Sequence, residues 1–338
     1  MRQYQCLNQR VFASQAFHIE PIRDQDQHSI MNIRNEQLYH LRQAEPLTAE
    51  KQANYFATVV TGLFEQQKPS QLLFSFFEND EFIGYGGLVH INWVDLNAEI
   101  SFVMRTELEQ EHFTYYWQNY LQLIEQVAFE GLNFHKIFTY AFDLRPHLYS
   151  VLESCGFNEE ARLSEHCQFE NKFYDVVYHA KINRRLSFRK ADETDMQRYF
   201  DWANDVSVRE HSYQSEAISL ETHQWWFSNK IKDDSCMMLV FENHLQQAVG
   251  QVRIQNNSEQ QAIIGISIDK HHRGKGYASS MIAQASDFFL KQNPSAVINA
   301  FVKLTNPASA QAFLKAGYRL DKSLDYQQIA SQQYTKSL

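Results

Sequence analysis

At 338 residues, with 44% hydrophobic and 14% aromatic side chains, the chain exceeds the usual single-domain size and carries enough core for two domains of about 150 residues each. Its net charge of −9, from 31 basic and 40 acidic residues with the basic ones scattered, argues against a nucleic-acid partner, which needs a dense cationic face. An anionic ligand must therefore be caught by a local site.

The opening segment "MRQYQCLNQRVF" lacks the apolar stretch and cleavage site of a signal peptide. No apolar run approaches the roughly 20 residues that span a bilayer, so the expectation is a cytoplasmic protein with no membrane partner. Cys6, Cys155, Cys167 and Cys236 form no CxxC pair, as suits reduced structural thiols. The fourteen histidines show no HExxH spacing, and no metal is expected.

Along the chain the sequence repeats itself. "IRNEQ" faces "WANDV", and "AEPLTAEKQANYF" faces "SEAISLETHQWWF" with Glu45 opposite Glu216. "FIGYGG" then faces "AVGQVR", "AEISF" faces "IGISI", and "LESCGF" faces "LKAGY". The order is kept throughout, which predicts a tandem of two copies of one fold, residues 1–183 and 186–338, joined at "KINRR" (Lys181 to Arg185).

In the second copy "LSFRKA" reads as a strand, followed by helices over "TDMQRYFDWAND" and "SLETHQWWFSNKIK", the latter with Ser219 as N-cap. "CMMLVFEN" and "QAVGQVRIQ" form a hairpin, and "QAIIGISID" is a third strand. A glycine turn leads into a helix with Met281, Ile282, Ala285, Phe288 and Phe289 on one face. "AVINAFVK" is a strand, "PASAQAFLKAG" a helix stopped by Gly317, and "YRLDKS" begins a last strand. The fold class is α/β (α+β): in each copy a mixed, mostly antiparallel sheet flanked by helices.

The glycine turn, "HHRGKGYASS" in the stretch Ile266 to Leu290, is the first functional signal. Uncapped N–H groups at a helix start bind anions, and glycine lets the ligand approach the backbone. A P-loop requires GxxxxGK[ST], and Lys275 lies between the glycines instead. A dinucleotide fingerprint fails because Ser279 stands where the third glycine belongs. A turn with no ligand is the bland alternative.

"RGKGYA" (Arg273 to Ala278) resembles the [RQ]xxGx[GA] pyrophosphate loop of the GNAT superfamily of N-acetyltransferases. "NPASAQAFLKAGY" (Asn306 to Tyr318) resembles that family's second motif, NxxSxxxxxxxG[FY]. The resemblance implies acetyl-CoA as acyl donor. Backbone amides of Gly274, Lys275, Gly276, Tyr277, Ala278 and Ser279 would cradle the diphosphate, with Arg273 and Lys275 adding charge. The main chain of Ile266, Ile268 and Asp269 would pair with the pantetheine arm, and the Ile268 N–H would polarise the thioester carbonyl. Asn306 and Ser309 would hold the arm near the thiol. Phe313 stands where many members have a tyrosine acid, so either the thiolate leaves without that help or Tyr277, Tyr318 or Tyr326 supplies the proton.

The stretches "SYQSEAISLETHQWWF", "VGQVRI" and "GISIDKHHRGKGYA" resemble acetyltransferases of nucleotide-linked 4-amino-4,6-dideoxy sugars in nonulosonic acid pathways. An amino-sugar nucleotide is thereby implied as acceptor. Attack requires a neutral amine and hence a base, for which Glu216, His211 and His223 are the candidates. Each also has an ordinary structural reading. His211, Tyr213, Ser215, Trp226 and Arg253 are the candidate acceptor contacts; of the adjacent Trp225 and Trp226, one is expected in the core and one free to stack on a ring.

In the first copy the phosphate turn reads "MRTELEQEHFTYYW", without glycine, and Glu107, Glu109 and Glu111 would repel a diphosphate. This half, in "IRNEQLYHLRQ" and "HCQFENKFYDVVYHAKI", resembles ribosomal-protein-type acetyltransferases. The expectation is a domain that kept the fold and lost CoA, with Arg34, Glu36, Arg42, Arg145 and His147 either a residual pocket or surface charge. A protein N-acetyltransferase and a non-catalytic CoA or sugar-nucleotide binder are the rival functions, and a homodimer is an open assembly state.

Overall fold

The computed structural model describes residues 2–41, 43, 45–258 and 260–338. The chain divides into two compact units, Met1–Asn183 and Arg184–Leu338.

The first unit contains β1 (Phe12–Ser14), β2 (Phe17–Pro21), α1 (Gln27–Glu36), α2 (Ala49–Tyr55), α3 (Thr61–Leu63), β3 (Leu72–Glu78), β4 (Glu81–Asn92) and β5 (Asn97–Met104). It continues with α4 (Thr106–Glu111), α5 (Phe113–Glu125), β6 (Lys136–Phe142), α6 (His147–Ser154), β7 (Asn158–Phe169) and β8 (Lys172–Ile182). Its sheet runs β1-β2-β3-β4-β5-β6-β8-β7, and β5 with β6 is a parallel pair in an otherwise antiparallel array. Long apolar runs such as "LLFSFF" make β3 a strand buried on both faces.

The second unit repeats the plan. It has β9 (Leu186–Lys190), α7 (Met196–Asn204), α8 (Val206–His211), α9 (Leu220–Lys230), β10 (Cys236–Asn243), β11 (Ala248–Ser258) and β12 (Gln261–Ile268). α10 (Tyr277–Gln292), β13 (Val297–Lys303), α11 (Pro307–Lys315), β14 (Arg319–Tyr326) and β15 (Ile329–Lys336) complete it. Its sheet order is β14-β15-β13-β12-β11-β10-β9, with β12 and β13 parallel. Met281, Ile282, Ala285 and Phe289 of α10 are buried against the sheet, as their helical spacing requires. Ser219 caps α9 by accepting from the Thr222 amide at 3.2 Å, and Gly317, at φ 86°, ends α11.

Two elements depart from the sequence reading. α8 forms between the two helices read from the sequence, in a stretch given no element there, and is capped by Asp205, which accepts from the Val208 amide at 3.2 Å. The last strand is β15, inserted between β13 and β14. All four cysteines are free. Among the described residues no helix is long and apolar enough to cross a membrane.

The repeat extends to a buried acid not read from the sequence. Asp26 accepts twice from Arg23 at 2.8 Å, and Asp195 accepts from Arg189 at 2.6 and 2.9 Å. Each sits just before the first helix of its half, Asp26 between β2 and α1 and Asp195 between β9 and α7.

Candidate active site

The sheet of the second unit opens beside β12. The parallel pairing to β13 covers only Gln261, Ala262 and Ile263, while pairing to β11 continues through Ile268. From Ile264 onward β12 has a partner on one side only. The Asp269 amide donates to the Val249 carbonyl at 2.9 Å, which makes that pair a hydrogen-bonded one. Antiparallel ladders alternate, so Ser267 and Gly265 also bond toward β11, while the N–H and C=O of Ile266 and Ile268 point into the opening. Arg273 Nε donates to the Ile268 carbonyl at 3.2 Å; the Ile266 pair and the Ile268 N–H are left for an extended ligand arm.

The turn after β12 presents uncapped backbone N–H groups at a helix start. Asp269 caps a short 3-10 turn, accepting from the His271 amide at 2.8 Å and from the Trp202 indole at 3.0 Å. Burial opposes its ionisation, but these donors and the nearby histidines hold its carboxyl below the usual range. Gly274 and Gly276 then adopt φ 73° and 81°, and α10 starts at Gly276 with no side chain capping its first N–H groups. Sixteen residues of helix dipole point at the site.

The unpaired guanidinium at this turn belongs to a different arginine than expected. Arg273 Nη2 is bound to Asp205 at 2.6 Å, so its charge is compensated and its work is to fix the strand end to α8. Lys275 is exposed and makes no ion pair among the described residues. Arg184, read from the sequence only as part of the inter-domain boundary, places Nη1 2.9 Å from where a Gly276 Cβ would stand. It too has no acidic partner among the described residues. Basicity in "KINRR" was the available signal.

The opposite wall is the start of α11. Asn306 is its N-cap, with Oδ1 accepting from the Ser309 amide at 3.1 Å, so both residues shape the helix start that faces the opening. Phe313, expected among the cofactor contacts, is instead 3% exposed and packs in the core against Tyr318 and Tyr334. Tyr318 is no proton donor either: burial drives its hydroxyl far up, and it is bonded to Ser286 at 2.7 Å. Tyr277 is buried at the first turn of α10, and burial raises it as well. Tyr326 is partly exposed and stacks on Phe301 at 3.9 Å.

Family models for "Acetyltransferase (GNAT) domain" match residues 19–178 and, separately, residues 185–319. The chain is built of two tandem GNAT domains. No curated protein matches it in sequence. Solved structures similar to it include the Vibrio cholerae spermidine N-acetyltransferase in complex with CoA and spermine, at 18% identity and TM-score 0.42, covering 45% of this chain and 94% of that one. A dodecameric form of that enzyme in an intermediate state is similar at 20% identity and TM-score 0.43, covering 49% and 94%.

On the face of β12 opposite α10 in the second GNAT domain lie Gly265 and Ser267 with their cross-strand partners Arg253 and Gln251. Gln251 Nε2 donates to Ser267 Oγ at 3.4 Å, and its buried Oε1 has no partner among the described residues. The Arg253 guanidinium lies over the Trp226 ring at 5.4 Å, without a carboxylate partner among the described residues. Tyr213 bonds Ser331 at 2.9 Å and meets Tyr326 edge-on at 4.8 Å, and Lys303 lies over the Tyr213 ring at 5.7 Å. Gln251, Ser267, Phe301 and Lys303 were not singled out by the sequence, and Tyr326 was read only as a candidate proton donor; strand register sets Gln251 opposite Ser267, and Phe301 stacks on Tyr326.

Of the candidate bases, His223 is overturned. Only 2% exposed, it packs among Phe200, Trp226 and Phe227, and burial lowers its pKa, so it is a neutral core histidine. His211 is exposed at the end of α8, and Ser215 and Glu216 are exposed on the segment after it, which Arg209 pins by donating to the carbonyls of Gln214 and Glu216 at 3.1 and 3.3 Å. Trp226 is the half-buried tryptophan and Trp225 the exposed one, at 72%; neither is fully in the core.

The first GNAT domain opens its sheet in the same way, β5 and β6 pairing only over Asn97, Ala98 and Glu99 on the β5 side. Its phosphate position differs. Arg105 precedes α4 without a capping side chain and is bound to Glu81 and Glu107, while Glu109 accepts from Arg145 at 2.7 Å. Glu36 bonds Thr106, His147 packs on Phe113 at 4.3 Å, and Arg42 lies outside the described residues. With no left-handed glycine and acidic groups at the helix start, this turn disfavours a diphosphate. Calorimetric titration of the whole chain with acetyl-CoA is therefore expected to saturate at one ligand per chain; two would show a working cradle in both domains.

Proposed function

We propose that the second GNAT domain transfers an acetyl group from acetyl-CoA to the primary amine of a nucleotide-linked amino-deoxy sugar. The observation that carries the acceptor reading is Arg253, a cation spread on Trp226 with no acidic partner among the described residues. An unpaired guanidinium beside an aromatic plane suits a ligand with both phosphate and ring. Lys303 and the Tyr213–Tyr326 pair extend that character, whereas a polycationic acceptor would need carboxylates there.

The turn from Gly274 to Ser279, with Arg184 and Lys275, holds the diphosphate, and the pantetheine arm pairs with the open edge of β12. The amine nitrogen attacks the thioester carbonyl carbon, forming the C–N bond. The Ile268 N–H, aimed into the opening, meets the oxyanion. Collapse breaks the C–S bond; the thiolate leaves and the ammonium proton passes through water to Glu216 or His211 at the mouth. The unpartnered Gln251 Oε1 can accept from the amine and orient it.

The test is a comparison of Arg253→Ala with wild type on an amino-sugar nucleotide and on the same amino sugar without its nucleotide. The expected result is a KM raised about tenfold for the nucleotide substrate with kcat little changed, and no change for the free sugar. An equal loss on both would remove the phosphate role, and spermidine outperforming both would replace the acceptor class.

A further inference from the structure

The first GNAT domain holds a cavity of about 570 Å³ where β5 and β6 part, within the range of small-molecule sites. Its lining combines an apolar wall, including Ile100, Phe102 and Leu148, with Arg34 and Arg145. Arg34 donates to the Tyr85 hydroxyl at 2.6 Å and to Gln43 at 2.7 Å but forms no ion pair among the described residues. His40, also in the lining, is pushed down to about 3, first by burial and then by Arg145 and Arg34. Arg145 is bound to Glu109, and Glu99, also in the lining, lies 3.8 Å from His90, so Arg34 is the lining arginine whose charge has no ion-pair partner among the described residues.

Two further lining groups mark the cavity as a site for a ligand. Thr139 Oγ1 and Trp117 Nε1 belong to side chains only 3% exposed, and neither has a hydrogen-bond partner among the described residues. Buried donors left unpaired cost about 1–3 kcal/mol each, and folded chains seldom keep two in one cavity without something to receive them. An indole N–H can only donate, so the missing partner must carry an acceptor.

We propose that this cavity binds a small organic carboxylate with an apolar body, its charge met by Arg34 and Arg145, with Thr139 and Trp117 as further donors. The site is independent of the acyl-transfer reading of the second domain. A coenzyme diphosphate is excluded from it by the missing glycine turn and the acidic start of α4. Its consequence is a tandem protein in which one domain senses or carries an organic acid while the other handles acetyl-CoA.

The test is isothermal titration of the whole chain with 4-phenylbutyrate, 4-phenylbutylamine and 4-phenylbutanol, which share a body and differ in charge. The carboxylate is expected to bind at least about tenfold tighter than the other two, equally well with or without saturating acetyl-CoA. Arg145→Gln should weaken it about tenfold. Arg145→Gln also leaves Glu109 unpaired and can harm folding, so Thr139→Val supplies the control: it breaks no protein hydrogen bond, should leave the melting temperature unchanged, and should weaken the carboxylate about fivefold. Absence of saturable binding by all three probes, preference for the amine, competition with acetyl-CoA, or indifference to both substitutions would each overturn the assignment.

Discussion

Gly276→Asp is expected to abolish acetyl-CoA binding, with affinity down by at least about 100-fold and transfer falling with it. Three physical effects converge on this position. Its φ of 81° is in the left-handed region, where a side chain costs about 1–2 kcal/mol, less for aspartate than for most. A Cβ would stand 2.9 Å from Arg184 Nη1, so the new carboxylate would capture the guanidinium proposed to meet the diphosphate. It would also occupy the positive end of α10. Gly276→Ala carries the strain without the charge and should lose far less affinity, while both variants melt within a few degrees of wild type. Equal losses in the two would assign the effect to backbone strain and remove the anion cradle.

Asp195→Ala is expected to cost the second domain about 3 kcal/mol, lowering its transition by about 6–12 °C. Asp195 is fully buried and binds both Arg189 and Arg198 while closing a capping box with the Asp192 amide at 3.0 Å. Arg189 is partly exposed and has Glu242 at 3.2 Å as a second partner, which keeps the cost at the low end for a broken buried pair. The sign of the pH dependence follows. Burial opposes ionisation of Asp195, but the Arg189 bonds and the Asp192 amide hold its pKa below the unfolded value of about 4. The stabilisation is therefore complete above that value and lost as pH falls through the depressed folded pKa. Chemical denaturation from pH 6 down to pH 3 should show the gap between wild type and Asp195→Asn narrowing only at the acid end. A gap that widens on acidification would contradict this.

What could be read from the sequence was what is local. The glycine turn is a statement about φ at two residues and an uncapped helix start. Asn306 and Gly317 mark the ends of α11 by capping chemistry that acts within one turn. The repeat was visible because two copies conserve the order of those local signals. What depended on register was hidden. β15, "IASQQYTK", is polar along its length and becomes a strand because β13 and β14 flank it. Arg184 reads as linker until the chain folds it over Gly276. His223 carries a functional residue type, yet its place on α9 turns it inward among aromatic rings, and Phe313 likewise belongs to the core. Sequence assigns residue types to a helix; packing decides which of them meet the ligand.

The proposed reaction is acetyl transfer by the second domain onto an amino-sugar nucleotide. The most direct measurement combines the whole chain with acetyl-CoA and a nucleotide-linked 4-amino-4,6-dideoxy sugar, following free thiol release and the mass of the sugar nucleotide together. One thiol released per acetamide formed is expected, with both signals absent in Gly276→Asp. Thiol release without an acetylated sugar nucleotide, or product formation that survives Gly276→Asp, would contradict it.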